Sequence, residues 1–157
     1  MRSSGDGLAE TVSRRPGTGK PPLRLLESLE PMDPVAQLDR HRYLSLATYR
    51  KNGAEVRTPV WFAAGDGKLF VFPAGDAGKV KRLRHSPRAR IAPCDARGGI
   101  RGPWRPASAK LITDPPSIEQ AYALFRTKYG RRMRLADLFA RLLGRLRRRA
   151  WIEITPE

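Results

Sequence analysis

From residue 42 onward the chain shows short runs in which apolar and polar side chains alternate, separated by turn-forming residues. Such runs are typical of β-strands, in which successive side chains point to opposite faces. They predict six strands, at 42–49, 55–63, 68–73, 90–94, 106–113 and 151–155. Lys51-Asn52-Gly53 and Gly65-Asp66-Gly67 predict tight turns between the first three strands, because Asn and Gly accept the positive φ of a hairpin connection. The resulting meander favours an antiparallel sheet or barrel over a parallel α/β fold.

The second predicted strand combines a two-sided pattern with a proline. One face carries Val56, Thr58, Val60 and Phe62, and the other carries Arg57, Pro59 and Trp61. Pro59 has no backbone N–H to donate, so this strand is predicted to lie at a sheet edge or to be irregular near its middle.

Three helices are predicted between these strands. The first spans 77–85, with Asp76 as its N-cap. The second follows Pro115-Pro116, with a capping box formed by Ser117 and Gln120 and with Gly130 just past its end. The third, 131–148, places leucines opposite arginines: Leu135, Leu138, Leu142 and Leu146 against Arg134, Arg141, Arg145 and Arg148. We interpret it as a helix packed on the core with a solvated basic face, and membrane-surface contact through helix 131–148 is the alternative.

Residues 1–32 differ from the rest of the chain. They are rich in Ser, Gly and Pro, show little apolar periodicity and are nearly neutral, so we interpret them as a flexible leader. Met32 stands at the composition boundary, and a start codon assigned too far upstream, which would make the leader non-native, is a second hypothesis. Residues 33–157 are predicted to form a single domain, because this length suits one hydrophobic core.

Composition narrows the class of partner. The 157 residues include 31 Lys and Arg against 15 Asp and Glu, a net charge of +16, and 40% are apolar, enough to build a core. A lone Cys94 excludes an internal disulfide and a cysteine-rich zinc site, and it favours a reducing, cytoplasmic location. With only two histidines, no metal site is predicted. An anionic partner is expected, and the charge by itself does not choose between nucleic acid, a membrane surface and a phosphorylated small molecule.

The basic residues form two clusters. The first lies in and after the short helix: Lys79, Lys81, Arg82, Arg84, Arg88 and Arg90. Gly78 and Lys79 lie in the opening turn, where free N–H groups and the helix dipole favour an anion, and Lys81 or Arg82 adds charge suited to a phosphate monoester. A solvated helix face is the alternative for this cluster.

The second cluster, residues 126–149, has ten basic residues against Asp137 alone. Non-specific nucleic-acid binding is compatible with such a charge. No recognised nucleic-acid-binding motif is present and the aromatics are not interleaved with the arginines, so no specific nucleic-acid partner is predicted.

Several segments together resemble a known family. They are 43–48 (YLSLAT), 57–62 (RTPVWF), 78–83 (GKVKRL), 87–90 (PRAR), 92–98 (APCDARG) and 152–156 (IEITP). This set resembles the pyridoxamine 5'-phosphate oxidase-like split-barrel family, and within it the branch of small oxidoreductases that use the deazaflavin coenzyme F420. The resemblance covers the chain from Asp33 to its C-terminus.

The resemblance implies a mainly β fold, a six-stranded antiparallel split barrel with flanking helices. It also implies a homodimer with one cofactor in each of two grooves at the subunit interface. The tricyclic ring and its ribityl chain would lie along Thr58, Pro59, Val60 and Trp61, and the phosphate would be held by Gly78, Lys79, Lys81 and Arg82. Some relatives use an Arg or Ser just before this helix, where this chain has Ala77 and Phe72.

The function implied is hydride transfer between F420 and an organic acceptor, because a deazaflavin carries its own hydride and the protein need only bind and orient it. An FMN-dependent split-barrel oxidoreductase is the alternative, and a non-enzymatic basic module that binds nucleic acid or a membrane surface is a third reading. The oligoglutamate tail and phosphodiester of F420 suit an extended basic groove better than compact FMN does. No catalytic residue is assigned; Asp95 and Tyr122 are the nearest candidates for a general acid.

Overall fold

The structure, a computed structural model, describes residues 33–144 and 148–157. The predicted leader and residues 145–147 lie outside the described residues. Its elements in chain order are α1 (Pro34–Asp39), β1 (Tyr43–Tyr49), β2 (Glu55–Trp61), β3 (Ala63–Gly65), β4 (Lys68–Val71), α2 (Gly78–His85), β5 (Arg88–Cys94), β6 (Arg105–Ile112), α3 (Pro115–Tyr129), α4 (Arg131–Leu142) and β7 (Trp151–Pro156).

The described strands form one antiparallel sheet in the order β2-β1-β5-β6-β7-β4-β3. Strands β2 and β3 lie at opposite edges of this sheet, yet only Phe62 separates them in the chain. Two edges joined by a single residue must approach each other, so the sheet curls into a half-closed barrel. The predicted antiparallel split barrel with flanking helices is confirmed. It has seven strands rather than six because the predicted strand 55–63 is divided at Phe62.

The position of Pro59 agrees with the edge predicted for its strand. β2 pairs with β1 alone, and Pro59 faces Ser45 across that pair. The register also confirms the two faces, because Thr58 lies opposite the core residue Leu46 while Arg57 lies opposite Ala47.

Both predicted turns are present. Gly53 has φ +86° between β1 and β2, and Asp66 and Gly67 have φ +53° and +71° between β3 and β4. These left-handed conformations suit the twist of a hairpin. The meander is nevertheless interrupted, since the bend at Phe62 carries the chain from one sheet edge to the other.

Two apolar clusters hold the fold together. The barrel interior contains Leu44, Leu46, Ile91, Ile152 and Ile154, and it receives Val80 and Leu83 from α2. A second cluster lies around Phe125, Met133 and Trp151, where α3 and α4 pack on the sheet. Burial of these side chains is the main favourable contribution to folding, at roughly 1.5–3 kcal/mol for each large residue.

Helix α1 is not anticipated by the sequence patterns. Asp33 caps it by accepting a hydrogen bond from Val35 N at 3.0 Å, and Val35 and Leu38 are buried. Six residues make fewer than two helical turns, too few to produce a recognisable period.

The helix caps differ from those predicted. α2 begins after Ala77, not Asp76, and no side chain in the described part of the protein caps it. The capping box of Ser117 and Gln120 is wrong, because Asp114 caps α3 through Ser117 N at 3.1 Å. Pro115 and Pro116 occupy the first turn of α3, where a missing N–H costs nothing. The end at Gly130 is confirmed.

The predicted packing of the third helix is wrong. α4 ends at Leu142 rather than at 148, and Leu135, Leu138 and Leu142 are 53%, 54% and 74% exposed. Met133, on the other side of the helix, is the side chain of α4 that is buried in the core. The predicted positions Arg145 and Leu146 lie outside the described residues. No helix in the described ranges is long and apolar enough to span a membrane.

Candidate functional site

Helix α2 packs on the barrel core with its apolar side and carries basic residues on its other sides. Val80 and Leu83 are buried in the barrel core, which fixes the rotation of the helix about its axis. Lys79 and Lys81 are two positions apart and therefore leave the helix in directions about 160° apart. The cations of this helix consequently line two clefts rather than one.

The first cleft joins the predicted ring-binding strand to Lys79. It has a volume of about 190 Å³ and is lined by Val60, Trp61, Val71, Phe72, Pro73 and Lys79. The fold thus brings Val60 and Trp61 together with Lys79, as the resemblance implies. Phe72 and Pro73, which sequence reasoning did not assign to a site, complete its apolar wall.

The second cleft lies on the other side of α2. It has a volume of about 310 Å³ and is lined by Tyr49, Arg50, Lys51, Gly78, Lys81, Arg82 and His85. The predicted phosphate-binding residues are therefore divided: Lys79 faces the apolar cleft, while Gly78, Lys81 and Arg82 face the basic one. Arg50 is an addition that the sequence analysis missed, because it lies in the β1–β2 turn.

Arg82 is held against the first turn of its own helix. Its Nε donates a hydrogen bond of 2.6 Å to Thr48 Oγ1, and Thr48 is fully buried in β1. A Cβ at Gly78 would lie 2.8 Å from Arg82 Nη1. A glycine at this position therefore leaves room for the guanidinium.

Among the described residues, no ion pair offsets the positive charge around α2. In the described part of the chain, the ion pairs include none with Lys79, Lys81, Arg82 or Arg50. Burial, together with the charge of Arg82, lowers the pKa of Lys79. Burial and the charge of Arg50 lower the pKa of Arg82. The lowered pKa values mean that the charged forms are less favourable in the free protein than in water, so an anion placed beside them would be stabilised.

Two residues of the predicted ring-binding segment lie on opposite faces of β2. Thr58 shares the inner face with Val60, and its Oγ1 is buried with no hydrogen-bond partner among the described residues. Pro59 is exposed on the other face, where a Cβ at Gly98 would lie 3.9 Å from Pro59 Cδ. Thr58 therefore offers an unused hydroxyl on the inner face of β2, and Pro59 does not face the same way.

Tyr129 holds Trp61 in place. The two rings stack with centroids 4.9 Å apart and planes 10° from parallel. The Tyr129 hydroxyl accepts a hydrogen bond from Phe62 N at 3.1 Å and lies 2.7 Å from Phe62 O. Burial raises the pKa of Tyr129 to about 12, so this hydroxyl keeps its proton. Sequence reasoning could not pair residues so far apart in the chain.

The two candidates for a general acid are engaged elsewhere. Asp95 accepts hydrogen bonds from Gly99 N at 2.8 Å and Arg97 N at 2.9 Å, and these bonds lower its pKa, with the one from Gly99 the larger cause. The Tyr122 hydroxyl donates to Asp137, and burial raises its pKa. Neither residue lines the two clefts beside α2.

Comparisons with known proteins agree with this architecture. The family model described as "Pyridoxamine 5'-phosphate oxidase" matches residues 34–157. HutZ, the heme storage protein from Vibrio cholerae, is 17% identical with a TM-score of 0.59, over 78% of this chain and 87% of its own. A FAD-binding protein from Mesorhizobium loti is 16% identical with a TM-score of 0.56, over 82% and 91% respectively.

A conserved hypothetical protein from Mycobacterium tuberculosis is 18% identical with a TM-score of 0.58, and the match covers 78% of each chain. At these identities the similarity is one of fold. No curated protein matches this chain by sequence.

Proposed function

Because the chain belongs to the pyridoxamine 5'-phosphate oxidase family, we propose that it is an oxidoreductase that binds a phosphorylated flavin-type cofactor beside α2. We propose F420 as the cofactor and hydride transfer to an organic acceptor as the reaction. FMN is the second candidate. The protein would act as a cytoplasmic homodimer.

The observation that carries this proposal is the cationic cluster of Lys79, Lys81, Arg82 and Arg50 at the start of α2. Within the part of the chain that the structure describes, this cluster has no ion-pair partner and the helix start has no side-chain cap. Surface cations normally stay in water, where they need no partner. Lys79 and Arg82 are instead partly withdrawn from water, and their pKa values are lowered for that reason. A bound phosphate would offset the lost hydration of these two cations. It would also accept hydrogen bonds from the free N–H groups of the first helical turn.

The apolar cleft suits the ring of such a cofactor. Val60, Trp61 and Phe72 provide flat and branched apolar surface next to the ammonium of Lys79. Thr58 lies on the same face of β2 as Val60, and its buried Oγ1 has no partner among the described residues; it would gain a hydrogen bond from a polar edge of the ring or its ribityl chain. These residues fit a flavin or deazaflavin, which combines an apolar ring system with a polar phosphorylated tail.

The basic cleft on the other side of α2 supports F420 over FMN. F420 extends beyond its phosphate through an oligoglutamate tail, and the positive surface also continues past Lys79 to Lys81, Arg82 and Arg50. FMN ends at its phosphate and would need only one of the two clefts. The small volume of the apolar cleft, with a single lysine at its wall, is the observation that favours FMN.

When bound, the deazaflavin supplies the hydride. The residues of this chain bind and orient it: Lys79 neutralises the phosphate, and Trp61, fixed by Tyr129, presents a rigid wall to the ring. Asp95 and Tyr122 are both held in other contacts, and we assign no proton donor. In a homodimer the partner would close the open side of the cleft and shape the acceptor site.

Titration of the purified protein with F420 and with FMN tests the proposal. Lys79→Ala and Lys81→Ala are each expected to weaken binding of F420 by roughly 1.5–3 kcal/mol, because each removes a charge-assisted contact to an anion. Arg84→Ala is the matched control, an exposed cation on the same helix that lines neither cleft. Tighter binding of FMN would reverse the order of the cofactors.

Equal effects of all three substitutions would refute the site. Steeply salt-dependent binding of duplex DNA together with no affinity for either cofactor would instead support the non-enzymatic reading. Light scattering of the purified protein tests the homodimer, and a monomer at assay concentration would contradict it.

A further inference from the structure

Helix α4 turns an apolar face away from the protein. Its large residues Leu135, Leu138, Phe139 and Leu142, with the adjoining Leu143, are between 53% and 74% exposed. At 3.6 residues per turn these five positions fall within an arc of about 140°, opposite the buried Met133. We call this arc the leucine face. A contiguous apolar surface of this kind is uncommon on a monomeric protein unless something binds it.

A basic cavity adjoins the leucine face. It lies between α3 and α4 and has a volume of about 740 Å³, and its lining includes Arg126, Arg131, Arg134, Arg141, Asp137 and Leu138. Asp137 is already neutralised, because it pairs with Arg149 at 2.8 Å and accepts a hydrogen bond from Tyr122. The guanidinium groups of the cavity therefore leave it strongly positive. Leu138 belongs to both the cavity and the leucine face, so the two surfaces are continuous.

We propose that α4 and this cavity bind the surface of an anionic lipid membrane. The leucine face enters the boundary between headgroups and acyl chains, and the arginines of the cavity bind lipid phosphates, a division typical of interfacial helices. The 12 residues of α4 span about 18 Å, short of the roughly 30 Å hydrocarbon core, so the helix lies in the membrane plane. This inference concerns a surface other than the clefts beside α2 and does not rest on the proposed cofactor.

Charge complementarity favours lipid phosphates over a second copy of the chain. Two leucine faces in contact would bring Arg131, Arg132, Arg134 and Arg141 of both copies together. The one carboxylate of α4, Asp137, is already paired with Arg149 and could not offset that repulsion. An anionic membrane buries the leucines and pairs the arginines with lipid phosphates at the same time.

Flotation of the full-length protein with lipid vesicles tests the proposal. One set of vesicles contains phosphatidylcholine alone, and the other contains phosphatidylcholine mixed with phosphatidylglycerol. The unmodified protein is expected to float with the mixed vesicles and to remain at the bottom with the neutral ones. Equal binding to both sets, or binding to neither, would overturn the proposal.

Two kinds of variant separate the apolar and ionic contributions. Phe139→Glu and Leu142→Glu are each expected to weaken partitioning at least about tenfold, because each removes apolar burial and adds a negative charge. Arg134→Gln and Arg141→Gln are each expected to weaken it about fivefold. Arg97→Gln, an exposed arginine in the loop after β5, is the matched control and is expected to retain binding. Circular dichroism verifies that each variant is folded. We expect this because the substituted side chains are exposed.

Two further results would overturn the proposal. Undiminished flotation of Phe139→Glu and Leu142→Glu would mean that charge alone adsorbs the protein and the leucine face stays in water. A change from dimer to monomer in light scattering of these variants, without vesicle binding by the unmodified protein, would mean that a second copy covers the face.

Discussion

The indole ring of Trp61 stacks on the phenol ring of Tyr129, with centroids 4.9 Å apart and planes 10° from parallel. The same tyrosine binds the backbone of Phe62, the residue at which the chain passes from β2 to β3. One side chain at the end of α3 therefore holds both the bend that closes the barrel and a wall of the cleft beside Lys79. This coupling makes α3 part of the support of the candidate cofactor site.

Removal of the Tyr129 hydroxyl tests this coupling. Tyr129→Phe keeps the stacked ring but leaves the buried Phe62 N–H without its partner, and it is expected to lower the free energy of unfolding by about 1–3 kcal/mol. Tyr129→Ala also removes the ring from the core, with an expected loss of about 3–5 kcal/mol. Denaturant titration measures both. Thr127→Ala, at an exposed position on the same helix, is the control, and an equal loss there would contradict the role of Tyr129.

The unpartnered hydroxyl of Thr58 gives a prediction in which stability and binding change in opposite senses. Thr58→Val replaces a buried hydroxyl that has no partner in the described chain with a methyl group. The free protein is expected to be as stable or slightly more stable, because an unsatisfied polar group is removed. Cofactor affinity is expected to fall by about 0.5–1.5 kcal/mol, the value of a neutral hydrogen bond. Thermal unfolding with and without cofactor measures both, and unchanged affinity would place the ligand elsewhere.

Gly78 is predicted to matter for binding more than for folding. A Cβ there would lie 2.8 Å from Arg82 Nη1, so Gly78→Ala displaces the guanidinium rather than the backbone. Anion affinity is expected to decrease, by less than the roughly 1.5–3 kcal/mol of a fully lost charged hydrogen bond. Thermal stability should stay close to that of the parent protein. A large drop in stability with unchanged affinity would contradict this prediction.

The pKa of Lys79 predicts a pH dependence of cofactor binding. Burial and the neighbouring Arg82 lower this pKa from its ordinary value of 10.5. Only the protonated amine attracts phosphate, so affinity is full below the lowered pKa and falls as the pH rises through it. Binding of the anion is expected to raise this pKa again, and the complex then takes up protons.

Calorimetry in buffers of different ionisation enthalpy measures the proton uptake on cofactor binding. Lys79→Arg, which stays charged at alkaline pH, is the control that should remove the pH dependence. An identical alkaline profile in the parent protein and in Lys79→Arg would assign the effect to another group.

Glu55 is predicted to contribute to stability in a pH-dependent way. It accepts hydrogen bonds from Arg57 at 2.6 Å, from Arg90 at 3.1 Å and from Tyr49 at 3.0 Å. These contacts, that with Arg57 first, lower its pKa from 4.5 to about 2. A lowered pKa means that the contribution is present above pH 4.5 and is lost as the pH falls through about 2.

Because Glu55 is partly exposed to solvent, Glu55→Gln is expected to lower the free energy of unfolding near neutral pH by only about 0.5–1 kcal/mol. The difference from the parent protein should vanish in strong acid. Denaturant titrations at several pH values measure it, and a difference that persists in acid would contradict the ionic origin.

Much of the barrel follows from local patterns. Gly53 and Gly67 lie at the predicted turns with positive φ, and Pro59 lies on an edge strand. The family predicted from the motifs is confirmed by the match over residues 34–157. The sequence alone could also have predicted that Lys79 and Lys81 face different clefts, because side chains two positions apart on a helix do not share a face.

Local sequence patterns do not predict which surfaces the helices pack against. The leucines of α4 follow a helical period that is typical of a buried face, yet Leu135 and Leu142 are exposed while Met133 is buried. Periodicity identifies an apolar face but does not name the surface that covers it. The side of α4 that meets the core depends on where Gly130 directs the chain after α3.

By itself, the sequence determined most of the strands, both hairpin turns, the family and the positions of the charges. Strands and turns depend on neighbours within a few positions, and the family is recognised from short motifs. Tertiary structure alone decided that Phe62 joins the two edges of the sheet, that Tyr129 supports Trp61 and that the cations of α2 border two clefts. It also decided that the leucine face points outward. These relationships join residues far apart in the chain, and they arise from the closure of the sheet and the packing of the helices upon it.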